Sequence, residues 1–410
     1  MLFPAFKKRI LIFSIFTFLF LLAAFLDLQR PQLPVYSDED LDLAITQATD
    51  YLINACDSSG QFAYRINMDP DVVDEPDYNI LRHAGTIYSL TMAQEYSPND
   101  QTLKTIQRSS EFLIKHCLDP VRDEPDLLAI WSPLVVTGRR TYAKLGGSGL
   151  GLLALSKFEK LKPGSVSIDT LKKLGNFILW MQKEDGSFYS RLFKGKDGRN
   201  DEWTSLYYPG EAALGLLHLY DLDNDKRWLI GAAKTVKYLH DKRRGKMITE
   251  ADHWALIASE KLKPHLENDP TLPLSVDELE AHTKLVCRTM FFQRNWHQFT
   301  LLTPRGCPNH AGLTTPGATR LEGLQAAKNI IPEKNKFYHK QIDSIVDGGI
   351  RFLMSTQVKK GQYKGAIPRA AKRLPFYHPF GTKKFNRRVT EVQIDYVQHT
   401  LSAWVKYKKS

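Results

Sequence analysis

The sequence has little of what defines several common fold and function classes. Strand patterns are few and short, which argues against a β-rich fold. The basic runs lack the interleaved aromatic and glycine residues of a nucleic-acid-binding module, so we expect no nucleic acid partner. Cysteine is scarce, and four thiols would permit two disulfides in an oxidising compartment, with a pairing that the sequence does not determine. The four residues are Cys56, Cys117, Cys287 and Cys307.

The charge balance is basic. The 410 residues include 56 Lys and Arg against 45 Asp and Glu, a formal net charge of +11. This favours an acidic partner such as an anionic glycan or lipid head groups, although a solvated basic surface is the alternative interpretation. Much of the charge lies in Lys242-Arg243-Arg244 and in the stretch from Lys359 to Arg388.

An uncharged stretch of 17 residues, from Ile10 to Leu26, follows Lys7, Lys8 and Arg9. That length is at the lower limit for a helix that spans a bilayer, and the basic residues keep the N-terminus in the cytoplasm. We predict a cytoplasmic stub and inner-membrane anchor over residues 1–30, a linker over 31–40, and a body in the periplasm or a secretory lumen. A cleaved signal peptide ranks second, because residues 22–24 make a poor cleavage site.

An internal repeat organises the rest of the chain. Six helix-like segments align on an aromatic residue, at intervals of 61, 65, 61, 53 and 61 residues. A period of this length indicates stacked supersecondary units. The aligned aromatic residues are Tyr51, Phe112, Phe177, Tyr238, Phe291 and Phe352.

Each aligned segment is followed by a second helix-like segment rich in small and aliphatic residues. A helix that is apolar nearly all round must be enclosed by other helices, whereas the first set can lie outside. Six such hairpins close naturally into a ring of inner helices surrounded by outer ones. We therefore predict an all-α fold, an (α/α)6 toroid over residues 41–410. An open superhelix of helix pairs is the rival packing.

In a closed toroid all inner helices begin at the same mouth, so residues far apart in sequence meet in one bowl. Helix N-termini also direct unpaired N–H groups and positive dipole ends towards it, which suits an anionic or hydroxyl-rich ligand. Polar and aromatic residues are concentrated at these starts. The candidates for substrate binding are Arg82, His83, Tyr207, Trp254, Arg320, Glu322, Asp395, Tyr396 and His399.

The candidates for catalysis are Glu211, Asp252, Tyr208 and His253. Glu211 and Asp252 form the predicted carboxylate pair, in which one protonates a glycosidic oxygen and the other activates water or stabilises positive charge. On a uronic-acid substrate, Tyr208 or His253 would instead move the C5 proton. Arg82 or Arg320 would then hold the substrate carboxylate. Asp252 also stands where a helix N-cap belongs, and capping alone would justify it.

A glycine turn followed by an aromatic residue, from Gln182 to Phe188, recurs after the first and the sixth outer segments. It resembles the repeat turn of terpenoid-cyclase-like toroids. The count of six hairpins resembles the six-hairpin glycosidases and the related polysaccharide lyases and glucuronyl epimerases. This resemblance implies the toroid and favours glycan chemistry. The Asp-x-Asp-Asp signature of terpene cyclases is absent.

A weaker pattern concerns metal binding. Cys307 and His310, with Cys287 as a third ligand, are similar to the zinc set of lanthionine cyclases. Those proteins, however, place their Cys and His side by side and build seven hairpins. We therefore expect neither a metal ion nor another cofactor, and a zinc-dependent cyclase-like toroid is an alternative.

Together these patterns predict an exported, membrane-anchored glycan-processing enzyme. Its type would be hydrolase, lyase or epimerase, acting on an anionic or hydroxyl-rich polysaccharide in the bowl. The other alternative is a non-catalytic periplasmic or luminal binding scaffold. The enzyme hypothesis predicts two unpaired carboxylates that face each other across a deep cleft, whereas the scaffold hypothesis predicts carboxylates engaged in caps and salt bridges.

Overall fold

The computed structural model describes residues 13–18, 21–22, 25, 32–73, 77–194, 198–299, 305–375 and 382–409. Among these residues, no helix combines the length and the apolar character that crossing a bilayer requires. The predicted anchor from Ile10 to Leu26 is described only in part. The anchor therefore stays a prediction.

Two concentric layers of helices make up the described part of the chain. The outer helices are α1 (Asp38–Ala55), α3 (Asp100–Cys117), α6 (Ile168–Met181), α8 (Lys226–Arg243), α10 (Val276–Phe299) and α12 (Lys336–Thr356). The inner helices are α2 (Ile80–Tyr96), α5 (Leu145–Leu161), α7 (Tyr208–Asp223), α9 (His253–Asn268), α11 (Thr314–Ile330) and α14 (Ile394–Lys409). Short elements in the connections are α4 (Leu134–Thr137), α13 (Thr382–Arg387) and a 3-10 turn, His310–Gly312.

The inner helices form a closed ring. Each packs against the inner helices before and after it, and α14 packs against α2. Close approach depends on small residues, since a Cβ added to Gly149 in α5 would lie 2.7 Å from the backbone nitrogen of Ala212 in α7. The predicted six-hairpin toroid is confirmed, because an open superhelix would leave the first and last inner helices apart.

The burial of the two helix sets follows their composition. Inner helix α5 is buried at every position from Leu145 to Phe158. Outer helix α3 buries one face and exposes polar residues such as Glu111 and Lys115. Helix α1 begins with a capping box between Ser37 and Asp40, so the first outer helix begins within the segment that we predicted as a linker. An enclosed ring of apolar helices needs such amphipathic helices around it.

The connections differ in length on the two sides of the ring. Turns from an inner helix to the next outer helix are short, as between Asp223 and Lys226. The connections from an outer helix to the next inner helix are longer and hold all the described strands. The long segments therefore lie around the N-termini of the inner helices, where they form the rim of the bowl.

The rim contains two antiparallel sheets that the sequence did not predict. Five strands are hydrogen-bonded in the order β2-β3-β4-β5-β6, and β1 pairs with β7 so that Arg65 lies opposite Gln393 and joins the first and last repeats. Most are too short for an alternating pattern to be recognised. The strands are β1 (Arg65–Asn67), β2 (Leu118–Val121), β3 (Glu124–Ser132), β4 (Tyr142–Lys144), β5 (Arg191–Phe193), β6 (Arg199–Asn200) and β7 (Glu391–Gln393).

The cysteines carry no cross-links. All four are buried free thiols. Burial raises the pKa of Cys56 to about 11 and that of Cys117 and Cys307 to about 12. The structure therefore contains neither of the two possible disulfides. The raised pKa values disfavour thiolate chemistry at these positions.

Candidate active site

A cavity of about 440 Å³ lies at the N-termini of the inner helices, and every inner helix contributes to its wall. Its size is within the range of small-molecule sites. Ring closure thus gathers residues that are far apart in sequence. Nine of the thirteen predicted site residues line it: Arg82, Tyr207, Tyr208, Glu211, His253, Trp254, Asp395, Tyr396 and His399.

Glu211 lies in the first turn of α7 and is 4% exposed. Its Oε2 atom is buried without a hydrogen-bond partner. This atom lies close to Gly146, because a Cβ added to that glycine would be 2.1 Å from Oε2. Burial, with a smaller contribution from the charge of Asp252, raises the pKa of Glu211 to about 8. Glu211 therefore holds its proton near neutral pH and can donate it to a ligand.

Two histidines meet on the wall of the cavity. The ring centroids of His253, at the start of α9, and His399, in α14, are 5.5 Å apart in an edge-to-face arrangement. His399 Nδ1 lies 2.8 Å from Oε2 of Glu322, so the carboxylate fixes the orientation of the ring. Glu322 itself is buried behind His399 and does not line this cavity.

The two imidazoles differ in their affinity for a proton. Burial holds the pKa of His253 well below its usual value, and both ring nitrogens are buried without a partner. Burial alone would also lower the pKa of His399, but the Glu322 carboxylate outweighs it and the pKa of His399 is raised. Neighbouring groups whose pKa values are pushed apart are suited to act as base and acid.

His253, Glu322 and His399 also offer ligand atoms that all lie within 4.8 Å of one another. Two histidines and a carboxylate are a common ligand set for divalent metals. However, His399 Nδ1 and Glu322 Oε2 are 2.8 Å apart, which is a hydrogen-bond distance. Two ligands of a tetrahedral zinc ion at about 2.1 Å would be about 3.4 Å apart. The geometry therefore favours a shared proton.

Arg82 and Asp395 form a charged pair on the wall of the cavity. Arg82 Nε donates to Asp395 Oδ2 at 2.8 Å, and Arg82 Nη1 donates to the hydroxyl of Tyr64 at 2.6 Å. Asp395 Oδ1 is buried without a hydrogen-bond partner. The pair thus presents both a cation and a free carboxylate oxygen beside the cavity.

Aromatic rings complete the wall. The ring of Tyr207 lies 5.0 Å from that of His253, and the ring of Trp254 lies 6.1 Å from that of His399. Burial raises the pKa of Tyr207 and of Tyr208, so both phenols stay protonated. Tyr396 is held in place because its hydroxyl donates to Glu391 at 2.6 Å.

Asp252 does not line the cavity. One carboxylate oxygen caps α9 by accepting from the N–H of Ala255 at 3.1 Å, and the other accepts from Arg243 Nη2 at 2.6 Å. The residue is fully buried. Both oxygens are engaged, so the structure gives Asp252 a capping and ion-pairing role and does not form the predicted pair with Glu211.

His83 and Arg320 are also directed away from the cavity. His83 is fully buried, and its ring nitrogens lie 2.7 Å from the hydroxyl of Tyr78 and 2.9 Å from the carbonyl of Ser109. Burial lowers the pKa of His83 to about 4. Arg320 donates to the Pro316 carbonyl at 2.8 Å and to Gln293 Oε1 at 2.7 Å. These contacts stabilise the helix packing.

The zinc set suggested by the sequence is not assembled among the described side chains. Cys287 and Cys307 are buried, and neither belongs to a group of potential metal ligands there. The Cys307 thiol instead accepts from Asn309 Nδ2 at 3.3 Å. The side chain of His310 lies outside the described residues.

No protein-family model matches the chain, and no curated protein matches it in sequence. Solved structures do share its fold. A sugar epimerase from a ruminal bacterium superposes with a TM-score of 0.63 at 10% identity, over 91% of this chain and 99% of its own. A D-mannose isomerase superposes with a TM-score of 0.61 at 11% identity, over 92% of this chain and 100% of its own. An unsaturated glucuronyl hydrolase specific for heparin superposes with a TM-score of 0.61 at 12% identity, over 91% of this chain and 98% of its own.

The chain has the fold of a six-hairpin glycosidase-like toroid. At these identities the likeness concerns the fold and does not assign a reaction. The chemistry of this toroid must therefore be argued from its own cavity.

Sequence reasoning missed several polar residues that line the cavity of this toroid, among them Arg369 and Gln398. Arg369 comes from the long connection before α14, and its Nη1 atom is buried without a hydrogen-bond partner. No helical period marks that connection, so no pattern singled it out. Gln398 directly precedes His399 and accepts from the hydroxyl of Thr86 at 3.0 Å. Its place near the start of α14, beside His399, was the signal that could have found it.

Proposed function

We propose that this protein is an exported, membrane-anchored carbohydrate-processing enzyme that moves a proton beside the carbonyl group of a sugar. The reaction is of the isomerase or epimerase type. The observation that carries the proposal is the contact between His253 and His399 in the cavity, with His399 oriented by Glu322. Two imidazoles of unequal basicity are a suitable pair for general base and general acid catalysis.

The proposed reaction begins with the open-chain form of the sugar. Neutral His253 takes the proton from the carbon beside the carbonyl, and the C–H electrons form the C=C bond of an enediol. His399 gives its proton to the carbonyl oxygen. For an isomer, His253 returns its proton to the former carbonyl carbon, while the other hydroxyl group of the enediol gives its proton to His399 and becomes the new carbonyl group. For an epimer, the enediol turns its opposite face towards His253, which returns the proton to the same carbon, and His399 takes back the proton of the enediol oxygen.

Other residues of the cavity support the charge that develops on oxygen. Protonated Glu211 can donate a hydrogen bond to the enediolate, and Arg82 and Arg369 place positive charge beside the same space. Preorganised donors of this kind supply much of the stabilisation of anionic intermediates in enzymes. The aromatic wall suits the apolar faces of sugar carbons.

The known proteins that share the fold are consistent with this proposal, since they include a D-mannose isomerase and a sugar epimerase. The predicted anchor over residues 10–26 supports export, with the N-terminus in the cytoplasm and the toroid in the periplasm or a secretory lumen. The net charge of +11 favours an acidic sugar.

Isotope incorporation tests the reaction type. The full-length protein in detergent is incubated with acidic and neutral aldoses and oligosaccharides, in parallel in D2O and in H2(18)O. We expect a product with the mass of the substrate, plus one deuterium on carbon after the hydroxyl groups are exchanged back in H2O. Cleavage of an oligosaccharide with one 18O atom at the new reducing end would contradict proton transfer, as would the absence of any reaction.

Hydrolysis is a second candidate, favoured by a separate observation. Glu211 Oε2 and Asp395 Oδ1 are both buried without hydrogen-bond partners, and both residues line the cavity. Protonated Glu211 would serve as the acid and Asp395 as the base or nucleophile of a glycosidase. This pair replaces the predicted pair of Glu211 and Asp252.

Glu211→Gln separates the two candidates. In proton transfer by the histidines, glutamine keeps a neutral hydrogen-bond donor, so we expect kcat to fall less than about tenfold. In hydrolysis, glutamine cannot protonate the leaving oxygen, and kcat would fall about 10²- to 10⁴-fold. Glu184→Gln, at an exposed position, is the control and should leave kcat unchanged.

The pH dependence of activity in the wild type and in Glu211→Gln provides a further test of the role of Glu211. The wild-type enzyme should lose activity as pH rises through about 8, because Glu211 then loses its proton. This limb should be missing in Glu211→Gln. The free energy of unfolding of the wild type should also decrease between pH 4.5 and about 8, since the folded state there binds the proton more tightly than the unfolded state.

A further inference from the structure

A stack of aromatic and basic side chains lies on the rim sheet beside the cavity. Arg191, in β5, lies between two rings: its guanidinium carbon is 4.3 Å from the centroid of Trp203 and 5.6 Å from that of Tyr142 in β4. We call Tyr142, Arg191 and Trp203 the rim stack. A guanidinium between two rings holds both in fixed orientations.

The rim stack continues the aromatic wall of the cavity outwards. The ring of Trp203 lies 5.7 Å from that of Tyr208, which lines the cavity. Trp203 is nevertheless 45% exposed. An indole held in place at the mouth of a cavity, with much of its surface in water, offers a platform for a ligand that extends out of the cavity.

The rim stack also carries uncompensated positive charge. Arg191 Nε is buried without a hydrogen-bond partner, and the ammonium group of Lys144 lies 5.2 Å from the Tyr142 ring. Within the described part of the chain, neither Arg191 nor Lys144 forms an ion pair with a carboxylate. Two cations beside an exposed indole fit a ligand that has both an apolar face and a negative charge.

We propose that the rim stack is a subsite for an acidic sugar unit of an oligosaccharide whose reacting end lies in the cavity. The face of a pyranose ring packs on Trp203, and its carboxylate pairs with Arg191 and Lys144. This inference rests on the proposed function for the position of the reacting unit. It identifies the substrate as an acidic oligosaccharide or polysaccharide and not a free monosaccharide.

Binding measurements test the subsite without relying on turnover. The full-length protein in detergent is titrated calorimetrically with tetragalacturonate, with galacturonate, and with cellotetraose as a neutral tetrasaccharide. We expect tetragalacturonate to bind at least tenfold more tightly than either of the others, with an affinity that decreases as salt is added. Trp203→Ala should weaken tetramer binding at least tenfold and leave monomer binding unchanged.

Matched variants separate the subsite from a general loss of structure. Trp296, on α10, is 59% exposed and lines none of the cavities described, so Trp296→Ala should bind the tetramer like the wild type. Trp203→Phe keeps a ring and should retain most of the affinity, and Arg191→Ala should abolish the preference for the acidic tetramer.

Three results would overturn the subsite: equal affinity for tetramer and monomer, a tetramer affinity that Trp203→Ala does not change, or no tetramer binding at all. Because binding is measured without catalysis, a protein that binds the tetramer but incorporates no isotope would refute the proposed reaction alone. Isotope incorporation without tetramer binding would refute the subsite alone.

Discussion

We expect His253→Gln to lower kcat about 10²- to 10⁴-fold, the range for removal of a general base. Glutamine is similar in size and polarity to histidine but cannot accept a proton at neutral pH. Within the described part of the chain, both ring nitrogens of His253 lack a hydrogen-bond partner, and its ring makes only packing contacts with its neighbours, such as Tyr207 and His399. The substitution should therefore leave KM and the thermal unfolding midpoint nearly unchanged, so the loss would belong to the chemical step.

A control for this result is His116→Gln, since His116 is exposed on outer helix α3. Its kcat should equal that of the wild type. A His253→Gln enzyme that keeps kcat within tenfold would contradict proton transfer by the histidine pair. Deuterium incorporation from D2O should fall in parallel with kcat in the His253 variant, because the same group removes the carbon-bound proton.

We expect Asp252→Ala to lower the free energy of unfolding by about 3–5 kcal/mol, because buried Arg243 then keeps only the half-exposed carboxylate of Glu250, at 3.5 Å. Arg243 is 3% exposed, and its shortest contact is the 2.6 Å bond to Asp252. The same substitution removes the N-cap of α9, which alone is worth about 0.5–2 kcal/mol. Chemical denaturation in detergent, followed by circular dichroism, measures the loss.

Asp225→Ala is the matched control for the cap. Asp225 caps outer helix α8 by accepting from the N–H of Arg227 at 2.9 Å, but it is not deeply buried. Its removal should cost only about 1 kcal/mol. An Asp252→Ala protein that is as stable as the wild type yet inactive would return Asp252 to the catalytic candidates and contradict the structural role.

The closed ring was predictable because each repeat has one helix that is buried all round and one that has a polar face. In α5 every position from Leu145 to Phe158 is buried, so no side of it can face water. Such a helix needs neighbours on both sides, and six of them meet that need by closing. The rim strands were not predictable, because strands as short as Arg191–Phe193 depend on partners from distant connections.

The cavity was predictable in position but not in detail. The starts of the inner helices indicated Glu211, His253, Asp395 and His399, and all four line one cavity. Sequence position alone could not show that Asp252 is turned towards Arg243 and away from the cavity. Asp252 and His253 are adjacent along the chain, and this step of one position decides which of them faces the ligand space.

By itself, the sequence determined the number of hairpins, which helices are enclosed and which residues begin them, since these follow from the period and the distribution of apolar residues. Only the tertiary structure decided which of those residues are free to react. The pKa of Glu211 and the pairing of His399 with Glu322 depend on burial and on charges supplied by other helices. Such through-space effects leave no trace in the spacing of residues along one chain.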